Sequence, residues 1–116
     1  MEGIYIQLFS LHGLIRSIDP EIGRDKDTGG QVKFVLELLN HLSHHPKVRK
    51  VDLFTRKISD KRVSPAYEKE IEKINDKARI VRISCGGLTY RPKESLWDYL
   101  DEYVDKTIQF NDGNYI

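Results

Sequence analysis

Apolar positions along the chain follow two spacings, and the switch between them divides it into elements. Ile4-Tyr-Ile-Gln-Leu-Phe9 is nearly continuous in apolar character and rich in β-branched and aromatic residues. That pattern predicts a strand buried on both faces of a parallel sheet. Ser10 to Asp27 follows as a long loop, with Gly13, Pro20 and Gly23 as breakers. From Val32 to Leu42 the period changes: Val32, Val35, Leu36, Leu39 and Leu42 recur at helical spacing, and Phe34 and Leu38 widen the stripe. Pro46 ends that helix, with His41, His44 and His45 as surface or last-turn residues rather than a metal cluster. Val51-Asp-Leu-Phe-Thr55 reads as the second strand, so the first three elements form a βαβ unit.

Beyond it the pattern loosens. Ala66 to Asn75 fits either a short helix or an extended excursion. Ala78-Arg-Ile-Val-Arg-Ile83 predicts a third strand, Cys85-Gly-Gly87 a glycine turn, and Pro92 the opening of a second helix over Lys93 to Phe110. Its apolar face would comprise Leu96, Tyr99, Leu100, Tyr103, Val104, Thr107 and Ile108. Trp97 would sit at a partly exposed edge, and Asn111-Asp-Gly-Asn114 would form a turn. Three parallel strands with two helices make a doubly wound α/β unit, a Rossmann-like half-domain that lacks one edge.

The stretch Gly23-Arg-Asp-Lys-Asp-Thr-Gly-Gly-Gln31 occupies the junction between the first strand and the first helix. Adjacent Gly29 and Gly30 let the backbone approach a ligand closely, and the helix behind them offers free N–H groups and a positive dipole end to an anion. The same residues also fit a capping box, with Thr28 and Gln31 satisfying the first N–H groups of the helix. Glycines alone do not decide between these readings. The sequence does exclude several sites. It has no G-x-G-x-x-G turn after the first strand, no G-K-[ST] at the helix start and no nucleophile elbow. His12, before Gly13 in the long loop, could face the site, but a lone loop histidine reads more simply as a polar surface group.

Composition narrows the class further. At 116 residues, 39% hydrophobic and 32% charged, the chain is one modest globular domain. A net charge of +1 argues against binding nucleic acid by phosphate neutralisation. The basic run of Lys47, Arg49 and Lys50, with Arg56, Lys57, Lys61 and Arg62 beyond, reads as a solvated surface. The single cysteine, Cys85, excludes an internal disulfide and fits a reducing compartment. No leader and no membrane-length apolar run is present, so a cytoplasmic location is expected.

The motifs taken together resemble a known family. Leu11-His-Gly-Leu-Ile-Arg16, Glu21 to Gln31, Val51-Asp-Leu-Phe-Thr-Arg56, Ile80-Val-Arg-Ile83 with Gly86-Gly87, and Arg91-Pro-Lys-Glu-Ser-Leu-Trp97 resemble, in order, the start of the glycosyltransferase domain of sucrose-phosphate synthases. The resemblance implies part of a GT-B fold. Residues 1–116 would be a partial N-terminal, acceptor-side, Rossmann-like domain, with the C-terminal donor domain absent. It implies transfer of glucose from UDP-glucose to fructose 6-phosphate with retention, with no cofactor and no catalytic metal. Gly29, Gly30 and Gln31 would lie beside the acceptor, and Lys93 would reach its phosphate; no catalytic residue is carried over. The family's next strand and its donor-binding residues do not follow Ile116, which implies that this chain alone is inactive and presents an unpaired sheet edge prone to self-pairing. Competing readings are a non-catalytic sugar-phosphate-binding module and a sucrose synthase-like or other hexosyltransferase.

Overall fold

The structure, a computed structural model, describes residues 3–17 and 29–114. Strand β1 spans Ile4–Phe9, helix α1 Gly29–Ser43, β2 Val48–Arg56, β3 Ile71–Lys73, β4 Ala78–Ile83 and helix α2 Leu100–Asn114. The sheet runs β1-β2-β4-β3. Strands β1, β2 and β4 are mutually parallel, with Leu8 opposite Leu53 and Leu53 opposite Ile80.

Successive side chains of β2 and β4 point to opposite faces, and each face carries its own core. Val51, Leu53, Ala78 and Ile80 pack with Val32 and Leu39 of α1. Phe54, Val81 and Ile83 pack instead with Tyr103 of α2. Double coverage explains why the strands read as apolar runs rather than as alternating ones. On the α2 face, Phe54 stacks on Phe9 with ring centroids 5.3 Å apart and meets Phe110 edge-on at 5.6 Å. The Tyr103 hydroxyl donates to the Phe54 carbonyl at 2.8 Å. A third cluster, Leu14, Ile58, Val63 and Tyr67, seals the loops beyond the strand ends.

Five expectations need correction. The 66–75 stretch is neither a helix nor a plain excursion. It is a 3-10 turn over Pro65–Glu68, capped by the Ser64 hydroxyl, and then strand β3, antiparallel to β4. The buried Arg82 of β4 donates to Glu72 of β3 at 2.8 Å and so recruits this edge strand. The second helix divides: Lys93–Tyr99 is 3-10, and the α-helix proper begins at Leu100. The expected turn at 111–114 is helical, because the Gln7 side-chain amide donates to Asn111 Oδ1 at 2.7 Å and docks that end of α2 on β1. Finally, the α2 stripe is only partly covered. Leu96, Tyr103 and Thr107 are buried, whereas Leu100, Val104 and Ile108 are exposed beside Phe9, beyond the free edge of β1. Phe34 also faces solvent, 64% exposed, so the inward stripe of α1 is narrower than its apolar content.

One polar cluster crosses the α2 face. Asp52 of β2, fully buried, stands opposite Gln7 of β1 and Arg79 of β4. It accepts two bonds from Arg79, at 2.7 and 3.1 Å, and a third from the Tyr5 hydroxyl. Lys50 approaches at 3.9 Å. Burial, and then the Asp52 hydrogen bond, raises the Tyr5 pKa. Among the described residues no helix is long and apolar enough to cross a membrane. Because removing one partner of a buried pair strands the rest, Asp52→Ala is expected to cost about 3 kcal/mol of stability. Urea unfolding monitored by circular dichroism measures this, and an unchanged midpoint would refute the account.

Candidate functional site

Ligands of open parallel α/β sheets bind beyond the carboxyl ends of the strands. At the end of β1, Ser10 is buried and its N–H donates to the Phe54 carbonyl at 2.9 Å, which ties the departing chain to β2. Gln31, in the first turn of α1, reaches back to this point. Its amide nitrogen donates to the Ser10 hydroxyl and, at 3.4 Å, to the His12 carbonyl. Gln31 therefore bridges the helix start and the strand end. The Thr28 half of the capping-box reading lies outside the described residues.

Gly29 and Gly30 are not a turn before the helix, because α1 begins with them. Neither is among the glycines with positive φ, and a Cβ on Gly30 would meet nothing within 4 Å. In a helix interior glycine costs on the order of 1 kcal/mol relative to alanine, and at the first residues of a helix the cost is smaller. At Gly30 nothing described in the protein uses the missing Cβ, neither backbone geometry nor packing. The open space at this helix start is where a ligand could approach main-chain N–H groups.

The second half of the predicted site follows β4. Pro92 leads into the 3-10 segment, and Lys93 is its first residue, partly buried, its side chain making no hydrogen bond or ion pair to the described residues. No described contact joins Lys93 to Gln31. The two stand beyond the ends of β1 and β4, with β2 between them, which places those strand ends about 10 Å apart at ordinary strand spacing.

The segment that leads to Lys93 is tied down by many hydrogen bonds. Gly86 and Gly87 have φ of 62° and 75°, the left-handed region that favours glycine, and a Cβ on Gly86 would meet the Tyr99 ring at 2.9 Å. The Gly86 N–H donates to Glu102 Oε1 at 2.8 Å, and Arg91 Nε donates to the Gly86 carbonyl at 2.6 Å. The Tyr90 N–H donates to Asp60, which the Arg62 side chain also grips. Hydrogen bonds from Arg62 hold the Asp60 carboxyl far below the usual range, and the Gly86 N–H does the same more mildly for Glu102. Arg56, grouped with the solvated basic run on sequence grounds, is 2% exposed and bonds four carbonyls of this segment. The available signal was its place as the last residue of an apolar strand. Cys85 is free and buried, and burial raises its thiol pKa, so it is no nucleophile.

No protein-family model matches the chain. Among solved structures it superposes on the sucrose-phosphate synthase of Thermosynechococcus elongatus with a TM-score of 0.72 and 27% identity, over 93% of this chain and 24% of that one. A second structure of sucrose-phosphate synthase from that organism, 23% identical with a TM-score of 0.64, matches in fold over 95% of this chain and 45% of the other. The fold is thus a Rossmann-like half-domain of the GT-B glycosyltransferase class. In sequence, the chain is 47% identical over 115 residues to the sucrose-phosphate synthase of Zea mays, covering 88% of this chain and 11% of that protein. It is 46% identical to probable sucrose-phosphate synthase 1 of Oryza sativa subsp. japonica and 44% identical to sucrose-phosphate synthase 4 of Arabidopsis thaliana, with the same coverage. The chain is a sucrose-phosphate synthase homologue, and it spans about a tenth of the length of these curated relatives.

Proposed function

We propose that the chain is the acceptor-side portion of a sucrose-phosphate synthase, which transfers glucose from UDP-glucose to fructose 6-phosphate with retention of configuration. The observation that carries this reading is the start of α1. Gly30 leaves open space there for which the described residues give no reason, and Gln31 is braced against Ser10 at the strand end. Main-chain N–H groups beside Gly29 and Gly30 would receive an oxygen of the acceptor, and the Gln31 amide would face its hydroxyls. Lys93, uncommitted among the described residues, would supply a compact ammonium for the phosphate dianion. No resident cofactor or metal enters the scheme. The donor would be held by the part of the protein outside these 116 residues.

Fructose 6-phosphate titrated into the chain should move the amide resonances of Gly29, Gly30, Gln31 and Lys93, and move them further than plain fructose does. Equal responses to the two sugars would remove Lys93 from phosphate recognition. Incubated with UDP-glucose and fructose 6-phosphate, the 116-residue chain should release no sucrose 6-phosphate; its detection by mass spectrometry would show that these residues alone suffice.

The outer edge of β1 has no partner strand among the described residues. Beside it, Phe9, Leu100, Val104 and Ile108 line an apolar groove of about 380 Å³. In the isolated chain we assign this edge to a second copy, pairing strand to strand and covering the groove. Light scattering should then show self-association across the micromolar range, reduced by Ile4→Lys, and a strictly monomeric chain would contradict the assignment.

A further inference from the structure

Arg56 closes β2, and its guanidinium turns into the β4-to-helix segment rather than toward solvent. Nε donates to the Cys85 carbonyl at 2.7 Å. One terminal nitrogen, Nη2, is shared among the carbonyls of Gly86 at 3.2 Å, Gly87 at 3.2 Å and Thr89 at 2.6 Å. No carboxylate bonds to it among the described contacts, so carbonyl dipoles hold this buried cation. Further anchors act on the same segment: Glu102 from α2, the Ser59 N–H, Asp60 and Arg62 from the loop after β2, and Arg91 from within. Arg56 alone among them belongs to a strand of the sheet.

That distinction matters because no described residue holds the Lys93 side chain. Its place is set by the main chain that delivers it, and that main chain contains two residues in left-handed conformation and no ladder partner of its own. Such a segment keeps one geometry only if its carbonyls are gathered from outside. A planar fork of donors can gather several diverging carbonyls, whereas an ammonium presents its donors from one point.

We infer that Arg56 is a positioning residue for the acceptor site: by gathering the carbonyls of Cys85, Gly86, Gly87 and Thr89 it helps fix the segment leading to Pro92, and so sets where the Lys93 ammonium meets a sugar phosphate. The inference rests on the assignment of Lys93 to the acceptor phosphate. Arg56 itself touches no substrate. Its effect is transmitted through Lys93 and vanishes when that amine is gone.

The test is a double-mutant cycle in the full-length enzyme, with steady-state kinetics for both substrates. Arg56→Lys should raise the KM for fructose 6-phosphate about tenfold, while kcat and the KM for UDP-glucose stay within about twofold. In a Lys93→Ala background the same change should add less than about twofold, because coupled residues are non-additive. An unchanged KM in Arg56→Lys, or an equal increase in both backgrounds, overturns the inference. Should Lys93→Ala itself leave the KM for fructose 6-phosphate unchanged, the acceptor reading of Lys93 has failed, and the inference falls with it for that separate reason. Should Arg56→Lys not fold, Gly87→Ala serves instead. It strains the same segment at a φ of 75° with nothing within 4 Å of the added Cβ. It should raise the same KM only while Lys93 is present, and no change there overturns the proposal equally.

Discussion

Strand β2 is covered on both faces and flanked on both edges, and every residue from Val51 to Arg56 is buried. Any polar side chain it carries must therefore find its partner inside the protein. Asp52 does so across the sheet, through Arg79 and Tyr5, and this row ties the three parallel strands together at one level. Arg56 does so beyond the strand end, through the carbonyls of the Cys85–Thr89 segment. Thr55 is the exception: its hydroxyl is buried and bonds to nothing described. These solutions connect β2 to both neighbouring parallel strands and to the segment that follows β4.

The two halves of the candidate site differ in how they are supported. The α1 half is supported by a side chain, since Gln31 bonds directly to Ser10 and His12. The Lys93 half is supported by main chain, through Arg56, Glu102, Asp60 and Arg91.

The free edge of β1 and the exposed stripe of α2 are two sides of one feature. Leu100, Val104 and Ile108 lie on the helix that passes over this edge, and Phe9 supplies the floor of the groove between them. An apolar stripe of this width on a solvated helix is in keeping with a covering element beyond β1.

Much of this was legible in the sequence. Apolar runs defined β1 and β4 to the residue, and the helical period of Val32, Val35, Leu36 and Leu39 defined the buried face of α1. The motifs that resemble the glycosyltransferase class are legible in the chain alone, because their order and spacing are properties of the sequence itself. Tertiary structure decided the rest. Strand β3 forms because Arg82 pairs with Glu72, and Asn111-Asp-Gly-Asn114 stays helical because Gln7 captures Asn111 across 104 residues. Local propensity carries no trace of either contact. Gly29 and Gly30 were visible from the start, but only the structure showed that they begin the helix and that the space above Gly30 is open. Arg56 was misread for the same reason. A guanidinium in sequence is a surface charge by default, and only the folded chain brings the carbonyls of Cys85, Gly86, Gly87 and Thr89 to its donors.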